Sequence, residues 1–205
     1  MITLQMNELS QKEAYKILSG SIVPRPIAFI TSLSKENVLN AAPFSFFNVV
    51  SANPPLLAVS IGRPNGVMKD TAQHITDRKE FVVHVSDEQI IEDVNQTAAT
   101  LSRDQSELNR THLHTIESTV ITVPGVKEAR IRFECKLMKH ITFQNDEGET
   151  TVDHLIGRVV CAHLDEAVYD AKKGYIATDV LKPIARLAGN DYAHLGDAFV
   201  LKRPE

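Results

Sequence analysis

The sequence lacks the short motifs that most often identify a nucleotide-binding fold. It contains neither the G-x-G-x-x-G pattern of dinucleotide-binding domains nor the G-x-x-x-x-G-K-[ST] pattern of a P-loop. No internal repeat, low-complexity stretch or domain linker is present, and no catalytic triad is recognisable. These absences exclude a site built on a Rossmann domain or a P-loop, and we expect a single domain over residues 1–205.

The chain is also poor in cysteine, in basic charge and in long apolar runs. Its net charge of -4 leaves no basic excess, which counts against binding to nucleic acid or to an anionic membrane. No apolar run approaches the ~20 residues of a membrane-spanning helix, and the first residues do not resemble a secretory signal. Cys135 and Cys161 lack CxxC spacing and are expected to be buried free thiols. These features together predict a cytoplasmic protein.

Hydrophobic periodicity predicts several strands and a few short helices. A capping-box pattern from Ser10 to Glu13 predicts a helix that ends near Ser19, with Gly20 as its stop signal. A second such pattern, from Ser86 to Gln89, predicts another helix. A further helix is predicted over 68–76, and a long loop over 102–115. Strands are predicted over residues 26–33, 56–61, 81–85, 131–137 and 150–164.

The clearest alternation in the chain lies in residues 131–137. Apolar side chains there alternate with Arg132, Glu134 and Lys136, which predicts one buried face and one face in water. Six or seven strands with two or three short helices favour a mainly β fold. An antiparallel barrel with peripheral helices fits best, because closing a sheet removes its exposed edges.

The segment from Asn40 to Thr71 is the most informative for function. A predicted turn of small residues, Asn40 to Pro43, leads into Ser45-Phe46-Phe47, and Lys69-Asp70-Thr71 follows a polar loop. Hydroxyls, backbone N–H groups, a cation and flat apolar walls therefore occur within one short stretch. Such a set can hold a phosphate at one end and a planar ring at the other.

Seven motifs occur in one order and spacing along the chain. They are PRPIAFITS (24–32), NAAPFSFFN (40–48), NPP (53–55), KDT (69–71), FVVHV (81–85), HLIGRVV (154–160) and PIARLAGNDY (183–192). In this series the chain strongly resembles the flavin reductase-like, FMN-binding split-barrel family, of the flavoredoxin type. The resemblance covers roughly residues 12–203.

The resemblance implies a six-stranded antiparallel Greek-key split barrel that forms a homodimer, with FMN at the dimer interface. It also implies oxidoreductase chemistry, commonly NAD(P)H-dependent reduction of FMN by hydride transfer, and an electron acceptor such as a monooxygenase. The sequence leaves open whether NADH or NADPH is the donor and whether FMN is a substrate or a prosthetic group.

Carried over to this sequence, the resemblance implies a set of FMN-binding residues. Candidates for the ring are Asn40, Ala42, Pro43, Ser45 and Phe46, although the same residues also fit a turn followed by a core-packed Phe pair. Candidates for the phosphate are Ser60, Lys69 and Thr71, with Ile61 and Gly62 adjoining, near the N-terminal end of the helix predicted over 68–76. Asp70 is expected to cap that helix, because its charge would repel a phosphate.

Three further candidates each carry an alternative. Arg25, held extended between two prolines, is assigned either to the phosphate or to a dimer contact. His154 is the candidate catalytic residue on the nicotinamide or substrate side, or a strand histidine bonded to a backbone carbonyl. Tyr192, in an RLAGNDY element with Ala188 where the family has glycine, either covers the flavin or packs the dimer.

Alternative functions remain open at this point. The chain could be an electron carrier that holds FMN tightly and receives electrons from a protein, or a non-enzymatic FMN- or haem-binding protein. His112 and His114 have HxH spacing, but no further ligand accompanies them, so no metal site is predicted.

Overall fold

The computed structural model describes residues 1–204 and is built around one large antiparallel sheet. The α-helices are α1 (Gln11–Ser21), α2 (Asp70–Arg78), α3 (Ile91–Gln96) and α4 (Thr178–Leu181), with short 3-10 helices at Met6–Glu8, Pro64–Gly66 and Glu107–Arg110. Every helix within the described residues is too short or too polar to span a bilayer.

Seven of the thirteen strands build the large sheet, and the other six form three two-stranded pairs. The strands of the large sheet are β1 (Ala28–Leu33), β2 (Leu39–Phe44), β3 (Phe47–Ala52), β4 (Pro55–Gly62), β5 (Glu80–Val85), β8 (Ile131–Gln144) and β9 (Thr150–Leu164). The small pairs join β6 (Thr115–Ile116) to β7 (Gly125–Val126), β10 (Tyr169–Asp170) to β11 (Tyr175–Ile176), and β12 (Ile184–Arg186) to β13 (Tyr192–His194).

The order of the strands explains why the sheet curls into a barrel. Along the sheet the order is β2-β1-β5-β8-β9-β4-β3, so that the two edge strands, β2 and β3, are consecutive in the chain. Only Ser45 and Phe46 separate them, which forces the two edges close together. The backbone N–H of Ser60 donates to the carbonyl of Phe46 (2.8 Å) at this junction. The seven-stranded sheet has one strand more than the barrel that the resemblance implies.

The barrel interior is an apolar core to which α2 contributes. Its buried members come from β1, β2, β4, β5, β8, β9 and α2, and are Ala28, Ile30, Phe44, Leu57, Val59, Ile61, Ala72, Ile75, Phe81, Val83, Cys135 and Leu155. The helix therefore packs against the barrel through one face, and its N-terminal end is held in a fixed place relative to β2. This position matters for the site described below.

The predicted strands are confirmed, but the turn predicted at Asn40–Pro43 is wrong. These residues lie in β2, where Asn40 pairs with Ser32 and Pro43 pairs with Phe29 of β1. A proline is acceptable there because β2 is an edge strand, whose outward side needs no N–H donor.

The helix predictions are confirmed in part. The Ser10–Glu13 capping box is present, but α1 continues through Gly20 to Ser21. The helix predicted over 68–76 is α2, shifted by two residues. The capping box predicted at Ser86 is wrong: α3 begins only at Ile91, and no side chain caps it. Ser86 is instead buried, and its carbonyl accepts the N–H of Ile184 (3.0 Å).

Glu134 does not face water as the alternation in β8 predicts. Its side chain is 0% exposed, and a register shift between Glu134 and Cys135 interrupts the regular pairing with β9. The carboxylate accepts bonds from the backbone N–H groups of Thr119, Val120 and Ile121 and from the His163 imidazole. Cys135 is buried as expected, whereas Cys161 is only half-buried; both are free thiols.

His84 gives the fold a defined sensitivity to acid. It is fully buried; its Nδ1 donates to the Phe29 carbonyl (2.9 Å) and its Nε2 accepts the Val126 N–H (2.8 Å). The ring must therefore be neutral, and burial lowers the pKa of His84 to about 4.

We expect this histidine to stabilise the fold fully above pH ~6.5 and to lose that contribution as the pH falls towards its folded pKa of about 4. Between these two pH values the unfolded chain binds the proton more readily than the folded chain does. The free energy of unfolding therefore falls by about 3 kcal/mol as the pH drops through this range. Urea unfolding as a function of pH, together with an NMR titration of the His84 ring, measures this. A His84 resonance that titrates near pH 6.5 would contradict it.

Candidate active site

The N-terminal end of α2 forms an uncapped, positively charged corner. Lys69 occupies the N-cap position, and its side chain accepts no hydrogen bond from the first turn. The first-turn N–H groups of this helix therefore have no side-chain acceptor from the cap, and such groups favour an anion. The Lys69 Nζ lies 5.7 Å from the centre of the Phe44 ring. Asp70 is the first residue of the helix and not its cap, contrary to the sequence prediction.

Asn40 and Thr71 are joined by a side-chain hydrogen bond between β2 and α2. Both residues are buried, and the Asn40 Nδ2 donates to the Thr71 Oγ1 (2.8 Å). Because the Thr71 oxygen accepts this bond, its own hydroxyl hydrogen is left to donate elsewhere. The pair therefore fixes a hydroxyl donor beside Lys69.

These groups line a cleft of about 340 Å³ between β2, the start of α2 and the chain around 97–107. We call it the α2 cleft. Apolar side chains, among them Phe44, Val67, Met68 and Leu101, form part of its walls. Five residues predicted from sequence line it: Asn40, Ala42, Pro43, Lys69 and Thr71.

The cleft also contains an ion pair that the sequence analysis missed. The Arg103 Nε lies 3.1 Å from the Asp70 Oδ1, and the Arg103 side chain is 71% exposed. Lys69 and Arg103 thus bring two cations to the cleft, of which one is paired. Arg103 lies in the predicted loop over 102–115, where no periodicity or spacing marks a site.

Glu107 places a second carboxylate in the cleft. It is buried, and its Oε2 accepts the N–H of Ala41 in β2 (3.0 Å). Burial raises the pKa of Glu107, and the nearby charge of Asp70 adds to this.

Ser60 and His154 lie outside the α2 cleft and contact each other. They are paired across β4 and β9, and the Ser60 Oγ lies 2.8 Å from the His154 Nδ1. The Phe143 ring meets the His154 ring edge-on at 6.2 Å. The partner of His154 is thus a side-chain hydroxyl and not a backbone carbonyl. Next to Ser60, the side chain of Ile61 is fully buried in the barrel core, and Gly62 is exposed at the strand end.

Arg25 lines a separate groove of about 310 Å³, together with Ser45 and Phe46. It is buried, and its guanidinium donates to the backbone carbonyls of Ser19, Ile22 (2.7 Å) and Leu187 (2.7 Å). These bonds tie the end of α1 to the chain that follows β12.

Tyr192 lies on a third surface, beside α3. Its hydroxyl donates to the Asn95 Oδ1 (2.9 Å), and the Arg186 guanidinium stacks over its ring at 4.4 Å. Within one chain the structure therefore leaves Arg25, Ser45, Phe46, Ser60, Ile61, Gly62, His154 and Tyr192 outside the α2 cleft.

The two histidines with HxH spacing turn to different carboxylates. His112 pairs with Asp93 (3.3 Å) and His114 with Glu128 (2.7 Å), and both histidines are exposed. They do not converge on a common point.

The donor set of the α2 cleft fits FMN. A phosphate monoester needs cations, a hydroxyl and backbone N–H groups, which are present at Lys69, Arg103, Thr71 and the start of α2. A planar ring needs flat apolar walls with some polar contacts, which the residues along β2 provide.

The chain is similar in sequence and fold to several known proteins. Over its full length the chain is 63% identical to the full length of an uncharacterized protein, YwrF, of Bacillus subtilis, over 204 residues. It is 51% identical to nitrilotriacetate monooxygenase component B of Bacillus cereus, with 98% of each chain covered and a TM-score of 0.95. It is 32% identical to the 2-nitrobenzoate 2-nitroreductase NbaA of Pseudomonas fluorescens, covering 99% of this chain and 96% of that one, with a TM-score of 0.88.

The architecture is the split barrel of flavin reductase-like proteins. The family model described as a flavin reductase like domain matches residues 19–180, which include β1 to β5, the α2 cleft and the paired strands β8 and β9. The chain therefore belongs to the flavin reductase-like family.

Proposed function

We propose that this protein is an NAD(P)H-dependent flavin oxidoreductase that binds FMN in the α2 cleft. The observation that carries the proposal is the convergence of Lys69, Thr71 and Arg103 at the apolar-walled end of β2. When bound, FMN would supply the chemistry that accepts a hydride from a nicotinamide and passes electrons on. The chain itself would supply binding, orientation and control of water.

Each residue of the cleft has a distinct part in this proposal. Lys69 and Arg103 provide charge for the phosphate, and Thr71, oriented by Asn40, provides a hydroxyl donor. Ala42 and Pro43 line the side of the cleft that would face the ring. A phosphate in this place would compete with Asp70 for Arg103, so that binding and release of the ligand would be coupled to that ion pair.

The remaining candidates would be brought in by a second copy of the chain. Large apolar side chains are exposed on α1 and on the edge strand β3, and such a patch indicates a protein interface. The members of this patch are Tyr15, Leu18, Ile22, Phe46, Val49 and Val50. In a homodimer, Arg25, Ser45, Phe46, Tyr192 and the Ser60–His154 pair would complete the flavin site, with His154 on the nicotinamide or substrate side. We propose that this dimer works in the cytoplasm as one domain per chain.

Two of the relatives support candidates for the electron acceptor. Similarity to a protein named as a monooxygenase component supports an acceptor that is a partner monooxygenase, supplied with reduced flavin. Similarity to a nitroreductase supports a second candidate, direct reduction of a nitroaromatic compound on the same site.

A visible absorption spectrum tests the proposal most directly. The protein is measured as purified, after addition of FMN, and after NADH or NADPH without oxygen. Flavin bands that bleach rapidly with one nucleotide support the proposal and identify the donor. Bands that persist with both nucleotides indicate an electron carrier with a protein donor, and absence of flavin uptake contradicts FMN binding.

Replacing Lys69 by alanine should weaken FMN binding about ten- to a hundredfold, the size of one charged hydrogen bond. Fluorescence quenching of FMN on titration with protein measures the change. Lys172→Ala, at an exposed position in the turn between β10 and β11, is the matched control and should leave the affinity unchanged. Equal affinity of Lys69→Ala and wild type would remove Lys69 from the site.

A further inference from the structure

A second polar cavity lies on another side of the barrel. It has a volume of about 430 Å³ and forms where the start of β8 pairs with the end of β9 and the segment after β7 crosses them. We call it the Arg132 pocket; its charged or titratable lining residues are Lys127, Arg130, Arg132, His163 and Asp165. It shares no lining residue with the α2 cleft. Its volume is within the range of small-molecule sites, but its lining is polar, which favours a charged ligand.

The cations of this pocket differ in how they are paired. Arg130 is satisfied, since it contacts Asp87 (2.8 Å) and the carbonyls of Val180 (2.9 Å) and Leu181. Within residues 1–204, neither Arg132 nor Lys127 has a carboxylate within 4.0 Å or a side-chain hydrogen bond. Two positive charges therefore face the cavity without a protein partner, in a chain whose net charge is negative.

The position of Arg132 is built into the sheet. It pairs with His84 of β5 and with His163 of β9, so that its side chain lies on the same face as both imidazoles. Gly125 leaves room for it, because a Cβ at that position would lie 3.0 Å from the Arg132 Cδ. Burial lowers the pKa of Arg132, and the nearby charge of Glu134 offsets this only in part.

Two carboxylates lie near the pocket, and each accepts at least one hydrogen bond from another group. Glu134 already accepts three backbone N–H groups and the His163 Nε2 (2.6 Å). Asp165 uses its Oδ1 to accept the Ala167 N–H (2.7 Å). Glu134 does attract the Arg132 charge, but it lies too far away for an ion pair.

We propose that the Arg132 pocket is a second ligand site, which binds a phosphate group, free or as a small monoester. The planar guanidinium of Arg132 can contact two phosphate oxygens at once, and Lys127 adds a second charge that matches a dianion. His163 borders the same space, and the remaining volume accommodates a small group attached to the phosphate.

Isothermal titration at constant ionic strength tests this site with inorganic phosphate and, separately, with glycerol 3-phosphate. The titrations use wild type and a Lys69→Ala background, which removes competition from the α2 cleft. We expect saturable binding in both, with one phosphate per chain in the Lys69→Ala background, where the α2 cleft is weakened. Arg132→Gln should lower the affinity at least tenfold. Arg132→Lys should lower it less, because lysine keeps the positive charge but lacks the planar guanidinium that can contact two oxygens.

Two further variants keep the test independent of folding. Lys127 is exposed in a loop, so that Lys127→Gln should fold normally and still bind phosphate several-fold more weakly. Arg158→Gln, at an exposed position of the same strand as His163, is the matched control and should bind like wild type. Tighter binding of glycerol 3-phosphate than of phosphate would identify a monoester as the ligand, and the reverse would identify the free ion.

Two results would overturn the proposal. One is the absence of saturable phosphate binding at millimolar concentrations in both backgrounds. The other is binding that is lost in Lys69→Ala but retained in Arg132→Gln and Lys127→Gln, which would place the ion in the α2 cleft. Neither result would overturn FMN binding in the α2 cleft, which is measured separately.

Discussion

Replacing Gly157 by alanine is expected to destabilise the protein by about 3 kcal/mol, the upper part of the range for overpacking a core. A Cβ at Gly157 in β9 would lie 2.3 Å from the Phe81 Cζ and 2.8 Å from its Cε1. Phe81 is 1% exposed in the middle of the barrel core, so its ring has no free space into which to move. Urea unfolding measures the change in free energy.

The matched control for this substitution is Gly62→Ala. Gly62 also lies in a strand of the large sheet, but a Cβ there would meet nothing within 4 Å. We expect its stability to change by less than about 0.5 kcal/mol, as for an exposed position. Phe81→Leu should partly rescue Gly157→Ala, because the smaller side chain removes the clash. Equal stabilities of Gly157→Ala and Gly62→Ala, or no coupling with Phe81→Leu, would contradict the steric argument.

Replacing Glu134 by alanine should cost about 3 to 4 kcal/mol of unfolding free energy, in the range for breaking a buried charged network. The substitution removes the acceptor of three backbone N–H groups in the loop over 119–121 and of the His163 ring. Burial by itself would raise the pKa of Glu134, but these four bonds outweigh it and the pKa is lowered. The charged form is therefore the one that holds the loop, and its contribution is lost in acid.

Glu128 provides an unusually close control for Glu134. It too accepts a backbone N–H (2.9 Å) and a histidine ring (2.7 Å), both from His114. Its side chain is 32% exposed and that of His114 is 75% exposed, against 0% for Glu134 and 23% for His163. Glu128→Ala should therefore cost less than about 1 kcal/mol, because water screens the pair and can replace the lost acceptor. Similar losses in both variants would show that burial is not the reason for the effect.

The candidate site could be predicted from sequence only where its residues are close along the chain. Lys69 and Thr71 belong to one turn before a helix, and Asn40 lies in a motif that marks the family. Arg103 and Glu107 come from a polar loop with no periodic signal. Glu107 reaches the cleft because it bonds to Ala41, sixty-six positions earlier, and no local pattern encodes such a contact.

The assignments that depended on orientation were the least predictable. Arg25 was identified as a constrained residue, but the direction of its guanidinium follows from three carbonyls, one of them in the chain after β12. Tyr192 lies beside α3 because the pairing of β12 with β13 places it there. Sequence patterns predict how side chains alternate along a strand. They do not predict which cleft a given side chain will border.

The sequence by itself determined five strands of the large sheet, the start of the first helix, the family and the chemistry available at the start of α2. The strands, the helix start and the residues around Lys69 follow from short local patterns of periodicity and capping, whereas the family follows from the order of motifs between residues 24 and 192. Only the tertiary structure decided that Glu134 is buried, that Arg103 and Glu107 complete the α2 cleft, and that Arg132 faces a pocket without a counter-ion. The reason is physical: burial and charge pairing depend on which distant segments cover a side chain, and in this barrel those segments cross the sheet from far along the chain.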